Sequence, residues 1–209
     1  MCRIVGPAII SIELGANAEE YNARFGEVLA FRPERCPGCQ DTRINVHDWY
    51  PRWAAYPDRD IRIRVQRFRC LGCRKTIVAL PSFLHRYRQF ALETIGKVVQ
   101  ARGVAKLSWR AVAESCSVRG APSMRSMGRW WTAFILNAPR WLEALQRILA
   151  QAVPGSAELD PHERVASTAA TVLGFSRRLA CWLDPSRAAS EALRVMWCWG
   201  WNAGVGRLM

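Results

Sequence analysis

Carboxylates are scarce in one stretch of this sequence. From Ile61 to Trp130 the acids are Glu93 and Glu114, set against 15 Lys or Arg, whereas the rest of the 209-residue chain holds 15 of each sign. The formal charge of +13 therefore belongs to a segment about as long as a small domain. A localised excess of this kind points to a polyanionic partner rather than to general solubility; a solvated basic face is the plain alternative. Acids suited to catalysis are also missing. Beyond Phe134 stand Glu143, Glu158, Asp160, Glu163, Asp184 and Glu191, with no strand pattern around them. Asp160, followed by Pro161 and Glu163, and Asp184, followed by Pro185, read as helix starts. Two-metal phosphoryl transfer needs converging carboxylates, so no catalysis is expected. Cys116, Cys181 and Cys198 lack the histidine partners of a nucleophilic site.

Long apolar runs are absent as well. Arg194 and Asn202 interrupt the C-terminal "ALRVMWCWGWNAGVGRLM", and no membrane segment is expected. Gly6, Pro7 and Glu13 spoil the opening "MCRIVGPAIISIELGANA" as a secretion signal. There is no internal repeat or low-complexity tract. Half of the residues are apolar, which suffices for a core in one domain or two small ones.

Of the eight cysteines, Cys2, Cys116, Cys181 and Cys198 are scattered, and a reducing cytoplasmic location fits them. The other four form two matched pairs, Cys36-x2-Cys39 and Cys70-x2-Cys73. Each pair can grip one ion from a tight turn, and four thiolates suit one tetrahedral structural Zn2+. Pro37-Gly38 and Leu71-Gly72 supply turn residues, with glycine available for a positive φ. A redox role for either pair is disfavoured, because no βαβ pattern surrounds them and there are two. His47 and His85 read as polar surface. Zinc with four thiolates carries formal charge −2, which nearby arginines would offset. That accounts for a few arginines of the excess.

The remaining pattern is α+β. Ala8–Ile12 reads as a strand and Ala18–Leu29 as a helix of obscure role. Residues 43–50, 60–70 and 75–81 read as strands. Ile61, Ile63 and Val65 alternate with Arg62, Arg64 and Gln66, and a phase change at Arg67–Phe68 suggests a bulge or strand end. Helices are expected over 90–102, with Ala91, Leu92, Ile95, Val98 and Val99 on one side, and after the caps Ser108 and Ser123. Asn137-Ala138-Pro139 is expected to separate the third of these from "RWLEALQRILAQA". The expected divisions are an N-terminal segment at 1–35, a zinc ribbon at 36–83, a helix-turn-helix at 84–136, and a Trp-rich helical region at 137–209.

On the helix after Ser123, Met124, Met127, Trp131 and Phe134 fall on one side and Arg125, Arg129 and Thr132 on the other. Gly128 could admit a close backbone. Such a helix can enter a major groove, where arginine forks onto guanine. The expected DNA-contacting set is Arg119, Arg125, Ser126, Arg129 and Thr132 on the helical part. Arg62, Arg64, Arg69, Arg74 and Lys75 on the ribbon are expected to meet phosphates.

The order of a four-cysteine ribbon, "RFRCLGCRKTIVALPSFL" and a helix-turn-helix resembles the N-terminal DNA-binding part of bacterial insertion-sequence transposases, over Cys36 to Phe134. The whole chain, with its ending "WCWGWNAGVGRL", also resembles a family of uncharacterised bacterial proteins linked to mobile elements. The resemblance implies a zinc-ribbon binder of double-stranded DNA, a regulator or accessory factor of a mobile element associated with the nucleoid. Two other classes stay open. Trp182, Trp197, Trp199 and Trp201 could recruit a separate transposase or drive self-association, and Trp49, Tyr50, Trp53 and Tyr56 could stack on unpaired RNA bases.

Overall fold

The computed structural model describes residues 8–85, 89–115, 122–152, 168–183 and 196. The chain divides into two compact units, Met1–Tyr56 with Asp60–Ala91, and Pro57–Arg59 with Leu92–Met209. The architecture is mixed: an N-terminal four-stranded sheet comes first and helices follow.

In the first unit, β1 (Ala8–Ile12), β2 (Ile44–Ala55), β3 (Asp60–Cys70) and β4 (Thr76–Pro81) lie in the order β1-β4-β3-β2. β4 is an interior strand, apolar and buried from Ile77 to Pro81, as a strand covered on both faces requires. It pairs antiparallel with β3 over Arg67–Arg69 and parallel with β1 from Ala8↔Ile77 to Ile12↔Pro81. Residues 8–35, to which the sequence assigns no role, thus belong to the sheet's own unit. Helix α1 (Ala18–Ala23) is capped by Asn17, whose Oδ1 accepts the Glu20 amide at 2.9 Å, and a 3-10 helix, Phe25–Phe31, follows it. The single helix expected over Ala18–Leu29 is therefore two short ones. α1 flanks β3 beyond the reach of β4. There the Tyr21 hydroxyl donates to the Arg64 carbonyl at 2.8 Å and the Asn22 amide donates to the Arg62 carbonyl at 3.0 Å, satisfying strand acceptors that have lost their ladder partner. Tyr21, Ile63, Val65, Phe68, Ile77 and Phe83 are core.

β2 and β3 form a long hairpin. Its irregularity lies between Val46 and Trp49, on the strand opposite the phase change read at Arg67–Phe68. Gln66 holds it: its side-chain amide donates to the Asp48 and Arg67 carbonyls at 2.9 and 2.7 Å, and Arg67 pairs with the Asp48 carboxylate. β3 can then bury Gln66, Phe68 and Cys70 after Ile63 and Val65 without a break.

In the second unit α2 (Leu92–Gly103) buries Leu92, Ile95, Val98 and Val99 as its sequence pattern demands. Ser108 caps α3 (Trp109–Ser115), its Oγ accepting the Ala111 amide at 3.2 Å, and Ser123 caps α4 (Met124–Ala152) in the same way. α4 runs unbroken through Pro139, contrary to the expected separation. Its apolar stripe, Met127, Trp130, Phe134, Ala138, Trp141 and Leu145, keeps helical spacing across the proline, so burial on both sides outweighs the missing amide. α5 (Thr168–Leu183) completes the described helices. A Cβ on Gly103 would stand 3.0 Å from Leu173 and 3.1 Å from Trp131, so the end of α2 meets α4 and α5 at close range. The helix starts expected at Asp160 and Asp184 lie outside the described residues.

Candidate metal centre and basic surface

Two turns carry the paired cysteines. In the first, the Cys36 amide donates to the Asp41 carbonyl and the Cys36 carbonyl accepts the Gln40 amide, both at 2.9 Å. In the second, Cys70 closes β3 and its amide donates to the Lys75 carbonyl at 3.0 Å. The Leu71 amide donates to the Arg43 carbonyl at 2.9 Å and ties one turn to the other. Both turns place the residue after the second cysteine in the left-handed region, Gln40 at φ 63° and Arg74 at φ 55°. The expectation of positive φ at Gly38 and Gly72 is corrected accordingly. Gly72 is needed for a different reason: a Cβ there would lie 2.2 Å from Asp41 Oδ2.

The turns bring Cys36, Cys39, Cys70 and Cys73 together, with all four sulfurs within 4.8 Å of one another. Cys36 to Cys73 is 3.7 Å and Cys39 to Cys70 is 3.5 Å. A disulfide needs about 2.05 Å, so neither contact is one, and all four are free thiols. Metal–sulfur bonds of about 2.3 Å in a tetrahedron put sulfurs about 3.8 Å apart, which the two close contacts match. The donor set thus fits one metal ion. Cys36 and Cys70 are buried and Cys39 is exposed, so the cluster sits where the core meets solvent.

The environment favours thiolates unevenly. The Cys73 backbone amide bonds to the Cys70 sulfur and, with the neighbouring thiols, draws Cys70 down to about 7. The Asp41 backbone amide likewise favours the Cys39 thiolate, but lost solvation and hydrogen bonds with the other three sulfurs push Cys39 up to about 12. The Gly38 amide donates to the Cys36 sulfur at 3.4 Å. Beside them Asp41 accepts from the Arg43 amide at 2.8 Å, from Nε at 3.2 Å and from Nη2 at 2.8 Å. These bonds hold the Asp41 carboxyl down to about 2. Asp41 and Arg43 thus brace the first turn where Gly72 of the second meets it. The sequence reading missed Asp41, although an acid two residues before an arginine beside a cysteine pair is a visible signal. His47 and His85 stand outside the cluster; His85 is buried rather than surface, and its carbonyl accepts Arg52 at 2.7 Å.

The candidate DNA-contacting residues fall on three surfaces. Arg69, Arg74 and Lys75 are exposed around the second cysteine turn. Arg62 and Arg64 are exposed on the hairpin, where Arg64 lies 4.2 Å from the Phe25 ring centre. On α4, Arg125, Arg129 and Thr132 are exposed along one stripe, while Ser126 is half-buried and its hydroxyl meets Ser123 at 3.1 Å. Met124 is exposed rather than core, and Trp130 takes the buried place expected for the half-buried Trp131. No described atom approaches within 4 Å of a Cβ on Gly128, so no close backbone contact is found there. Arg119 lies outside the described residues. Arg62, Arg64, Arg69, Arg74, Arg125 and Arg129 have no ion-pair partner among the described residues, whereas Arg24, Arg43, Arg59, Arg67 and Arg110 do.

The chain thus carries a four-thiol cluster able to hold one metal ion at the base of a hairpin, followed by helices with an exposed cationic stripe. Residues 36–130 match a family model described as a domain of unknown function (DUF6431). The match begins at Cys36, the first of the paired cysteines, and ends about two helical turns into α4, so it takes in all four paired cysteines together with Arg125 and Arg129. No curated protein and no solved structure matches the chain. No helix among the described residues is long and apolar enough to cross a membrane.

Proposed function

We propose that the protein is a zinc-stabilised, sequence-specific binder of double-stranded DNA that does not itself cut or join strands. The observation that carries this reading is the set of six exposed arginines without ion-pair partners among the described residues, two of them one turn apart on α4. Zn2+ is the metal expected for four thiolates, and its part is structural: it closes the two turns and supplies no open coordination position. Arg69, Arg74 and Lys75, with Arg62 and Arg64, meet phosphates; Arg125 and Arg129, with Thr132 and Ser126 beside them, meet base edges. α3 and α4 act as a helix-turn-helix in this reading, with α4 as the reader. The role in a mobile element, as regulator or accessory factor at the nucleoid, rests on the resemblance to transposase N-terminal regions.

The test is a salt titration on a target duplex and its scrambled counterpart. Loss of Arg69 or Arg74 should weaken both complexes alike and lower the slope of log affinity against log salt by about one per contact. Loss of Arg125 or Arg129 should weaken the target complex selectively. Equal loss on both duplexes for all four variants would reduce the protein to a polyanion-binding surface. A second reading, a module that recruits a separate transposase or self-associates, is favoured by Leu136, 72% exposed on α4 beyond Thr132, with Ile135 beside it at 44%. Trp197, Trp199 and Trp201, its other candidate anchors, lie outside the described residues, as does the side chain of Trp182.

A further inference from the structure

Along β2 the side chains of Trp49, Pro51 and Trp53 point to the exposed face, and Trp49 and Trp53 leave 50% and 52% of their surface in water. Across the ladder Pro51 faces Arg64 and Trp53 faces Arg62. The Arg64 guanidinium lies over two rings, 4.2 Å from the Phe25 centre and 5.8 Å from that of Trp49, within cation–π reach of both. A groove of about 380 Å³ opens here, lined by Asn22, Trp49, Pro51, Arg62, Ile63 and Arg64. No acid lines it. The two other aromatic residues of this segment are engaged elsewhere: Tyr56 is buried, its hydroxyl accepting the Ala18 amide at 2.9 Å, and Tyr50 is half-buried with Arg67 over its ring at 5.4 Å.

We infer that this hairpin face binds the unpaired nucleotides of a single nucleic-acid strand, with Trp49 and Trp53 as stacking platforms and Arg62 and Arg64 as phosphate contacts. Two half-exposed indoles beside two arginines present flat apolar area and positive charge together, which is the complement of a base with its phosphate. A duplex cannot use the indoles, because its base faces are already stacked. Trp49 and Trp53 are four residues apart on a strand and so about 13 Å apart, several times the spacing of about 3.4 Å between stacked bases. The strand must therefore run extended, with the two stacked bases separated along it. This site shares Arg62 and Arg64 with the duplex reading, but its stacking residues Trp49 and Trp53 take no part in that reading, so their replacement tests the single-strand site alone.

The test uses the metal-loaded full chain and a labelled oligothymidine, read by fluorescence anisotropy, with a blunt duplex measured in parallel. Trp53→Ala and Trp49→Ala should each lower single-strand affinity by about 5- to 150-fold, the range for loss of one base–aromatic stack. Duplex affinity should stay within about twofold, and Trp53→Phe should restore most of the single-strand binding. Metal content shows that each variant is folded. Native single-strand affinity in both alanine variants overturns the inference, as does equal loss on single strand and duplex. An interaction of this face solely with a peptide or a second copy of the chain overturns it too. Failure of duplex binding alone, with single-strand binding kept, leaves it standing and removes the duplex reading instead.

Discussion

Gly72 and Gly38 occupy equivalent places in the two cysteine turns, yet replacement by alanine should have opposite outcomes. A Cβ on Gly72 would stand 2.2 Å from Asp41 Oδ2, 2.8 Å from its Cγ and 2.9 Å from its Cβ. Turning the Asp41 side chain relieves the first two contacts but not the third, so the aspartate must leave its bonds to Arg43 or the turns must part. Asp41 supports the cluster from outside the ligand set, because its backbone amide bonds to the Cys39 sulfur and its carboxylate to Arg43. Disturbing groups that orient metal ligands costs about 10- to 100-fold in affinity, which is the loss expected for Gly72→Ala. A Cβ on Gly38 meets just the Cys36 sulfur, at an ordinary 3.8 Å. Gly38→Ala should therefore behave as a surface change, within about 0.5 kcal/mol or about twofold. Competition for zinc against a chromophoric chelator at fixed pH measures both. Equal affinity in the two variants, whether native or reduced, would refute the bracing role given to Asp41.

Elemental analysis should find one zinc per chain, and replacing all four of Cys36, Cys39, Cys70 and Cys73 by serine should abolish it. Zinc uptake should release protons, because metal binding needs thiolates while Cys39 keeps its proton up to about 12. Zinc affinity should thus fall as pH falls, and more steeply below about 7, where Cys70 also takes up a proton that the metal must displace; a pH-independent affinity would contradict this. Arg125→Ala or Arg129→Ala should cost on the order of 1 to 3 kcal/mol on the target duplex and relax its sequence preference, measured against a scrambled site. With magnesium or manganese the protein should leave DNA uncut; cleavage lost on changing Asp160 or Asp184 would restore a catalytic reading.

Much of this architecture is visible in the residues because its causes are local. Alternation fixes which residues of β3 face the core, and the spacing of Leu92, Ile95, Val98 and Val99 defines α2. The four clustered cysteines declare themselves by spacing alone, since two matched pairs, each with two residues between its cysteines, have few uses other than holding a metal. What stays hidden depends on distant partners. β1 is recognisable as a strand, but its parallel pairing with β4 crosses most of the first unit. The irregularity read on β3 sits on β2, because either strand of a pair can absorb a mismatch and here Asp48 has Gln66 and Arg67 to hold it. Pro139 reads as a break by its missing amide, yet Phe134, Ala138, Trp141 and Leu145 keep one face buried across it. Trp49 and Trp53 look alike in sequence to Tyr50 and Tyr56, and the fold alone separates exposed rings from buried ones.

The central claim is that a metal-closed cysteine cluster and the cationic stripe of α4 make this chain a reader of duplex sequence. Selection of bound sequences from a random duplex pool by zinc-loaded protein tests it most directly. The account predicts enrichment of a defined motif, lost when zinc is chelated and degenerate in the Arg125→Ala variant. Recovery of the pool without enrichment by fully metal-loaded protein would contradict it.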